Sequence, residues 1–267
     1  MPTRWTPSPF LSASAAVHGA AAIGALAVPA VWPWALGALV ANHVLLAGAG
    51  LWPSSRLLGP NLIRLPEAAA RRREIALTID DGPDPEVTPR VLDLLDAANV
   101  KASFFCIGRI AQQHRALCRT IAQRGHRVEN HGYAHSNAFS LFGPGAMRRD
   151  IARAQATLSD ITGEAPRFFR ATAGLRNPFL DPVLHGLDLK LATWTRRAYD
   201  TRTGNPDRVL HRLASQLGAG DIVLLHDGHC ARTPTGEPVI LAVLPHLLQT
   251  IAERELKPVT LNQALSS

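Results

Sequence analysis

The residues with the clearest chemical promise fall in three short stretches. The first is Ile75-Ala-Leu-Thr-Ile-Asp-Asp-Gly-Pro-Asp-Pro85, an apolar, β-rich run that stops at two acids and a turn. Such a run sets both carboxylates, Asp80 and Asp81, at the C-terminal mouth of a strand, where α/β folds keep their chemistry. An isolated Asp-Asp-Gly also favours a solvated turn, so the pair needs company before it counts as a site. The second stretch, Gly125-His-Arg-Val-Glu-Asn-His-Gly-Tyr-Ala-His-Ser136, offers that company. His131 and His135 are four apart, and a single turn of helix would aim both imidazoles at one point, as a metal site requires. Two His with a carboxylate from elsewhere leave coordination positions for water and substrate. The Glu of a His-Glu-x-x-His protease helix is missing, and His126 reads as a surface residue or as support for the ligands. The third stretch is Asp221-Ile-Val-Leu-Leu-His-Asp-Gly-His229, where an apolar strand runs into His226. An imidazole there can act as a general acid near neutral pH. His229 and Asp227 compete for that role from the loop expected beyond the strand.

Strand-like runs that could hold these residues occur at Ile75–Ile79, Ala102–Ile107, Phe168–Arg170, Leu189–Trp194 and Ile222–Leu225. Segments with helical spacing separate them. Met147, Ile151, Ala154, Leu158 and Ile161 share one helix face, and Gly163 follows as a stop. Ile110, His114, Leu117 and Ile121 predict a second helix before Gly125. Strand and helix in alternation argue for an α/β fold with a parallel sheet, open or closed into a barrel.

The chain has 267 residues, enough for one domain beside a membrane segment. Its net charge of +7 suits an anionic partner such as phospholipid or lipid phosphate. Aromatic residues are only 6%, with no basic-aromatic interleaving, which argues against nucleic acid. Cys106, Cys118 and Cys230 are odd in number and sit in apolar or helical surroundings, so they read as buried free thiols rather than a disulfide framework.

From Phe10 to Trp52 no Asp, Glu, Lys or Arg occurs. A helix needs about 20 apolar residues to cross a bilayer, so this stretch has room for two spans. Pro29 and Pro33 mark the turn between them, and Trp32, Trp34 and Trp52 suit the interface. His18 and His43 read as polar residues tolerated inside the hairpin. A signal peptide cleaved near Ala27-Val-Pro-Ala30 is the competing reading, and the second apolar run that follows at once argues against it. Arg4 precedes the hairpin; Arg56, Arg64, Arg71, Arg72 and Arg73 follow, offset in this stretch by Glu67 alone. With two spans both flanks share one side, which the positive-inside rule makes cytoplasmic. The Arg run also serves as an anchor to anionic headgroups. The expected division is therefore 1–52 membrane segment, 53–73 basic juxtamembrane linker and 74–267 catalytic domain, in the inner (cytoplasmic) membrane with the last part facing the cytoplasm.

Thr78-Ile-Asp-Asp-Gly-Pro, His131-Gly-Tyr-Ala-His135 and Leu224-Leu-His226, in this order, resemble the polysaccharide deacetylases of the NodB homology domain, carbohydrate esterase family 4. The resemblance runs from about Glu74 to Ser267. It implies a distorted (β/α) barrel with a metal-dependent deacetylase site. Asp81, His131 and His135 would hold a divalent ion, Zn2+ first, with Co2+, Ni2+ or Mn2+ acceptable to the same donors. Asp80 would be the general base and His226 the general acid.

The chemistry suits these residue types. A metal polarises the amide carbonyl and acidifies the attacking water, Asp80 takes its proton, and His226 protonates a leaving amine that is otherwise very poor. One Asp sits on the cation while the other stays free to accept a proton. Two supporting motifs depart from the family pattern. Arg-Pro-Pro-aromatic-Gly appears as Arg170-Ala-Thr-Ala-Gly174, which keeps an Arg to orient Asp80 and the Ala173 backbone N–H for an oxyanion but loses an aromatic substrate contact. The Asp-Trp pair that follows a Trp appears as Asp200-Thr201 after Trp194, which keeps Asp200 to orient His226 but loses a wall. Gly132 replaces the Ser or Thr after the first metal His.

Fewer aromatic platforms, a membrane hairpin and a basic linker favour a substrate presented at the membrane. The expected reaction is hydrolysis of an N-acyl group, acetyl first, from an amino sugar carried on a polyprenyl phosphate for lipopolysaccharide or envelope glycan modification. Deacetylation of chitooligosaccharide, exopolysaccharide or peptidoglycan is the alternative. A silent membrane-tethered carbohydrate-binding protein or a docking scaffold would not need all of Asp80, Asp81, His131, His135 and His226. An Asp-Asp phosphatase leaves the three histidines unexplained.

Overall fold

The computed structural model describes residues 4–266. Its strands are β1 (Glu74–Asp80), β2 (Ser103–Cys106), β3 (Arg127–Asn130), β4 (Phe168–Phe169), β5 (Lys190–Leu191), β6 (Arg196–Arg197), β7 (Ile222–His226) and β8 (Lys257–Val259). They form one parallel sheet in the order β5-β4-β3-β2-β1-β7-β6, with β8 beside the start of β1. Only residues 192–195 separate β5 from β6, so one extended segment touches β4 at its first half and β7 at its second. That shared segment curls the sheet into the distorted barrel expected from the sequence.

All seven residues of β1 are buried, as a central parallel strand requires when both its faces are covered. Alternation divides them. Ile75, Leu77 and Ile79 pack outward with Leu92, Leu95, Val209 and Leu244 from the surrounding helices. Ala76 packs inside the barrel with Phe105, Phe168, Trp194 and Leu224. Thr78 and Asp80 share that inner face by the period of two, so the strand delivers a carboxylate to the mouth of an otherwise apolar interior.

The helix at Pro144–Thr162 buries all five of the residues expected on its inner face and ends at Gly163, with φ 77°. Other expectations need correction. The run Leu189–Trp194 is not one strand: within it only Lys190–Leu191 form β5 against β4, and the chain pairs with β7 beyond it, at Arg196–Arg197. The helix expected across Ile110 to Ile121 breaks at His114 (φ −116°, ψ 50°) into Gly108–Gln113 and Arg115–Gln123. The residues that reach the core there are Ala111, Cys118 and Ile121. Strands β3, β6 and β8 carry Arg127, Glu129, Arg196, Arg197 and Lys257, and no apolar alternation announces them. Cys106 and Cys118 are buried and Cys230 is only partly so; all three are free.

At the N-terminus, helices α1 (Pro9–Ala27) and α2 (Trp32–Leu51) join through a turn at Pro29–Val31. Asn42 donates to Ser14 Oγ at 2.9 Å across the pair, and His18 meets His43 edge-on. Both helices are long and apolar enough to cross a membrane. Trp32, Trp34 and Trp52 are exposed. The C-terminal end of α2 docks on the barrel: a Cβ at Gly50 would lie 2.2 Å from the Arg176 carbonyl oxygen, and Arg176 N–H donates to the Gly50 carbonyl at 3.1 Å.

Residues 53–73 lie against the barrel, with Leu58, Leu65 and Ala69 buried and Leu62 bonded to Leu191 and Thr193. Arg64 pairs with Asp221 and Arg72 with Glu74, in addition to Arg71 with Glu67. The Arg run is therefore matched within the protein by more than the single Glu67 that its own stretch offers.

Candidate active site

Strand register brings the first pair of functional groups together. Asp80 on β1 and His226 on β7 are direct register partners at the C-terminal ends of neighbouring strands. Register partners in parallel strands point to the same face about 4.8 Å apart. Both line a cavity of about 430 Å³ at the barrel mouth, with Asp81, His131, His135 and His229.

Asp80 is held from below by Arg170, whose side chain is wholly buried just beyond β4. Arg170 Nη1 donates to Asp80 Oδ1 at 2.6 Å and to Thr78 Oγ1 at 2.9 Å, while Nε and Nη2 donate to the Ala192 and Thr193 carbonyls. Phe105 and Trp194 lie against its guanidinium, with Cζ 4.0 and 5.7 Å from the ring centroids. Burial lowers the Arg170 pKa and Asp80 opposes that fall.

His226 is held from the other side. Its Nδ1 lies 2.9 Å from Asp200 Oδ1, and its backbone N–H donates to Asp200 Oδ2 at 2.8 Å. A carboxylate only accepts, so Nδ1 carries the hydrogen and Nε2 is left for the cavity. Burial works against protonation of His226, but Asp200, with Asp80 and Asp81 behind it, pushes its pKa up to about 9.

The remaining groups converge on one carboxylate oxygen. His131 Nε2 and His135 Nε2 lie 3.2 and 3.1 Å from Asp81 Oδ1. His131 Nδ1 bonds the Arg170 carbonyl at 2.8 Å, which can only accept, so in the neutral ring Nε2 presents a lone pair. Asp81 Oδ1 is buried and has no hydrogen bond of sound geometry. Three ligand atoms of Asp81, His131 and His135 lie within 4.8 Å of one another. Lone pairs pointed at one another repel unless a cation stands between them, so this donor set fits a divalent metal with open positions. Burial raises the Asp81 pKa, yet His131, His135 and His229 together hold it well below the usual carboxylate range.

The turn of helix expected at His131–His135 is not there. Gly132 and His135 have positive φ, 76° and 51°, and the segment is a loop. Asp150 shapes it, accepting from the Tyr133 and Ala134 backbone N–H groups at 3.0 Å each. The spacing of four still brings the imidazoles together, with ring centroids 4.8 Å apart, through this loop instead of a helix. His126 is neither surface nor part of the site: it is buried, its Nδ1 accepts from Ala102 N–H, and burial drives its pKa down to about 4. Asp227 is buried away from the cavity, bonded by Thr88 Oγ1, with its pKa pushed up to about 7 by burial. His229 is the residue whose place the sequence left least defined. It sits with Nδ1 3.4 Å from Asp81 Oδ2 and stacks on His135. Ala171, Thr172 and Ala173 line the cavity, with Ala173 at φ 55°. Arg109, Arg197 and Arg202 line it too, and no strand or motif signal marked them.

Residues 67–192 match the sequence profile of the polysaccharide deacetylase family. A chitooligosaccharide deacetylase from Azorhizobium caulinodans is 31% identical over 179 residues, which are 67% of this chain and 83% of that protein. The chain belongs to the polysaccharide deacetylase family. A peptidoglycan-N-acetylglucosamine deacetylase from Bacillus cereus is 30% identical over 201 residues, 74% of this chain and 91% of the relative. The crystal structure of a peptidoglycan N-acetylglucosamine deacetylase superposes with a TM-score of 0.69 at 27% identity, covering 76% of this chain and 92% of the other. The chain is thus a metal-dependent carbohydrate deacetylase, a hydrolase.

Proposed function

We propose that this enzyme hydrolyses the N-acetyl group of an amino sugar carried on a polyprenyl phosphate, at the inner membrane and from its cytoplasmic side. Asp81, His131 and His135 hold the divalent ion, Zn2+ first. When bound, the ion supplies Lewis acidity to the acyl group and to the water. Asp80, steadied by Arg170, takes a proton from the attacking water as its oxygen bonds the acyl carbon. Ala173 lines the cavity, and its backbone N–H is the proposed donor to the developing oxyanion. His226, charged through Asp200, gives its proton to the sugar nitrogen as the carbon–nitrogen bond breaks, which leaves acetate and a free amine. The observation that carries this reading is the register pairing of Asp80 with His226 across the mouth from the Asp81 oxygen.

The membrane part of the reading rests on where the hairpin ends. Gly50 of α2 packs on Arg176, and a Cβ at Gly174 would meet Pro53 at 2.8 Å and Trp194 at 2.7 Å. Thr172–Gly174 is the loop that carries Ala173. The emergence of the chain from the proposed hairpin thus abuts the loop beside the cavity, so a lipid-borne sugar would have a short path to it. In this reading residues 1–52 form the membrane segment, 53–73 the juxtamembrane segment and 74–267 the catalytic domain. A second reading, deacetylation of chitooligosaccharide or peptidoglycan, is favoured by the names of the relatives. Acetate release from polyprenyl-phosphate N-acetylhexosamine and from chitooligosaccharide, compared on the detergent-solubilised full chain, separates the two. Faster release from the lipid-linked sugar is the expected result; release from the oligosaccharide alone would replace the first reading with the second.

A further inference from the structure

The cavity that holds Asp80 and His226 also carries cations that the hydrolysis does not use. Asp80 is engaged by Arg170 and Asp200 by His226, and Asp81 faces the histidines. No carboxylate of the described residues pairs with Arg109, Arg197 or Arg202, all of which line this cavity.

Arg197 is the most constrained of the three. It belongs to β6, and its guanidinium lies between two rings, with Cζ 5.1 Å from the Trp194 centroid and 4.8 Å from that of Tyr199. The same Trp194 ring carries Arg170 at 5.7 Å, and Arg212 lies 5.5 Å from the Tyr199 ring. Arg197 Nε is buried without a hydrogen-bond partner. A planar guanidinium fixed by stacking loses little freedom when its fork closes on an oxyanion. Arg202 stands in both this cavity and the adjoining hollow formed with Tyr199, Thr203, Arg208 and Arg212. Thr201 takes the place of the aromatic wall found in the family pattern, so this side of the mouth offers charge where a neutral polymer would need a ring to stack on.

We propose that Arg197 and Arg202 form an anion subsite that receives the phosphate ester on the anomeric carbon of the amino sugar. This rests on the deacetylase reading above and extends it to the group the enzyme reads beside the acyl amide. A cavity of about 430 Å³ holds one sugar and its phosphate. A neutral oligosaccharide leaves both arginines without a partner.

The test uses compounds that lack the acyl group, so no turnover intervenes: glucosamine, glucosamine 1-phosphate, and glucosamine joined through a phosphodiester to a short prenyl chain. Each is titrated calorimetrically into the metal-loaded, detergent-solubilised full chain. The expected result is at least tenfold tighter binding of both phosphate compounds than of glucosamine. Arg197→Gln and Arg202→Gln should each shrink that gap, while Arg197→Lys, which keeps the charge but not the planar fork, should restore part of it. Further tightening by the prenyl ester identifies a lipid-borne phosphate, and equal binding of the two esters identifies a soluble sugar phosphate; either supports the subsite. Equal binding of all three compounds, or a gap that both Gln variants leave intact, overturns it. Acetate release is assayed in parallel on the acetylated counterparts: a phosphate gap without any release would refute the deacetylase reading and spare the subsite.

Discussion

Asp200 grips His226 at two points, with Oδ1 2.9 Å from the imidazole Nδ1 and Oδ2 accepting the His226 backbone N–H at 2.8 Å. The double contact fixes the ring and charges it, which is why its pKa rises to about 9 against the opposing effect of burial. With that pKa His226 stays protonated through neutral pH, so if it serves as the proposed general acid, kcat should fall only above about pH 9. In Asp200→Asn the fall should begin at lower pH by about a unit or more, since the carboxylate is the main source of the rise. An alkaline limb in the same place in both proteins would remove His226 from the role. The same shift bears on stability. The folded pKa lies above the ordinary 6.5, so the contribution of the pair is full below that pH and is lost as pH rises through about 9.

Arg170 is a buried cation whose only carboxylate partner among the described residues is Asp80. Arg170→Met leaves that carboxylate buried without its counter-charge, which costs about 3–5 kcal/mol. Urea unfolding should show that loss. Acetate release should drop by about a hundredfold or more as the base loses its orientation. Wild-type stability in the variant would mean that solvent already screens the pair.

Asp150 touches no substrate-facing atom, yet it fixes the loop that carries His135 through two backbone N–H groups. Its replacement by Ala should weaken divalent metal affinity by about 10–100-fold, the usual effect of losing a group that orients a ligand. Competition with a calibrated chelator reads this directly. Unchanged affinity would show that the loop holds its shape without the carboxylate.

Gly50 has no room for a side chain, because a Cβ would press into the Arg176 carbonyl at 2.2 Å. Gly50→Val should therefore tilt α2 away from the barrel. The proposed membrane route predicts a larger loss of kcat/KM on a lipid-linked sugar than on a water-soluble one. Equal losses on both would sever the link between hairpin docking and substrate delivery.

Much of the architecture can be read from the chain because the decisive segments are strongly patterned. β1 runs apolar into two acids, β7 runs apolar into His226, and the helix with Met147 and Ile161 has an unbroken inner face. The gaps have physical causes. Strands β3 and β6 are short and charged because Glu129 accepts backbone N–H groups inside the barrel and Arg197 serves the cavity. The spacing of His131 and His135 suits a helix, but Gly132 at positive φ and the Asp150 anchor impose a loop that local periodicity does not encode. His126 shows the same limit: no local pattern marks it as buried, because its packing against Phe104 is purely tertiary. Arg170 and Asp200 were legible through the family resemblance and not through spacing, since each meets its partner across the barrel.

In the proposed mechanism Asp80 takes the proton in a metal-dependent hydrolysis of an amino-sugar amide. The most direct measurement is acetate release from an N-acetylhexosamine substrate by metal-loaded wild type, chelator-treated wild type and metal-loaded Asp80→Asn, with bound metal quantified in each. Chelator should abolish release and divalent metal restore it, and Asp80→Asn should lose about 10²–10⁴-fold despite a full metal complement. Release that survives in Asp80→Asn with metal bound would contradict it.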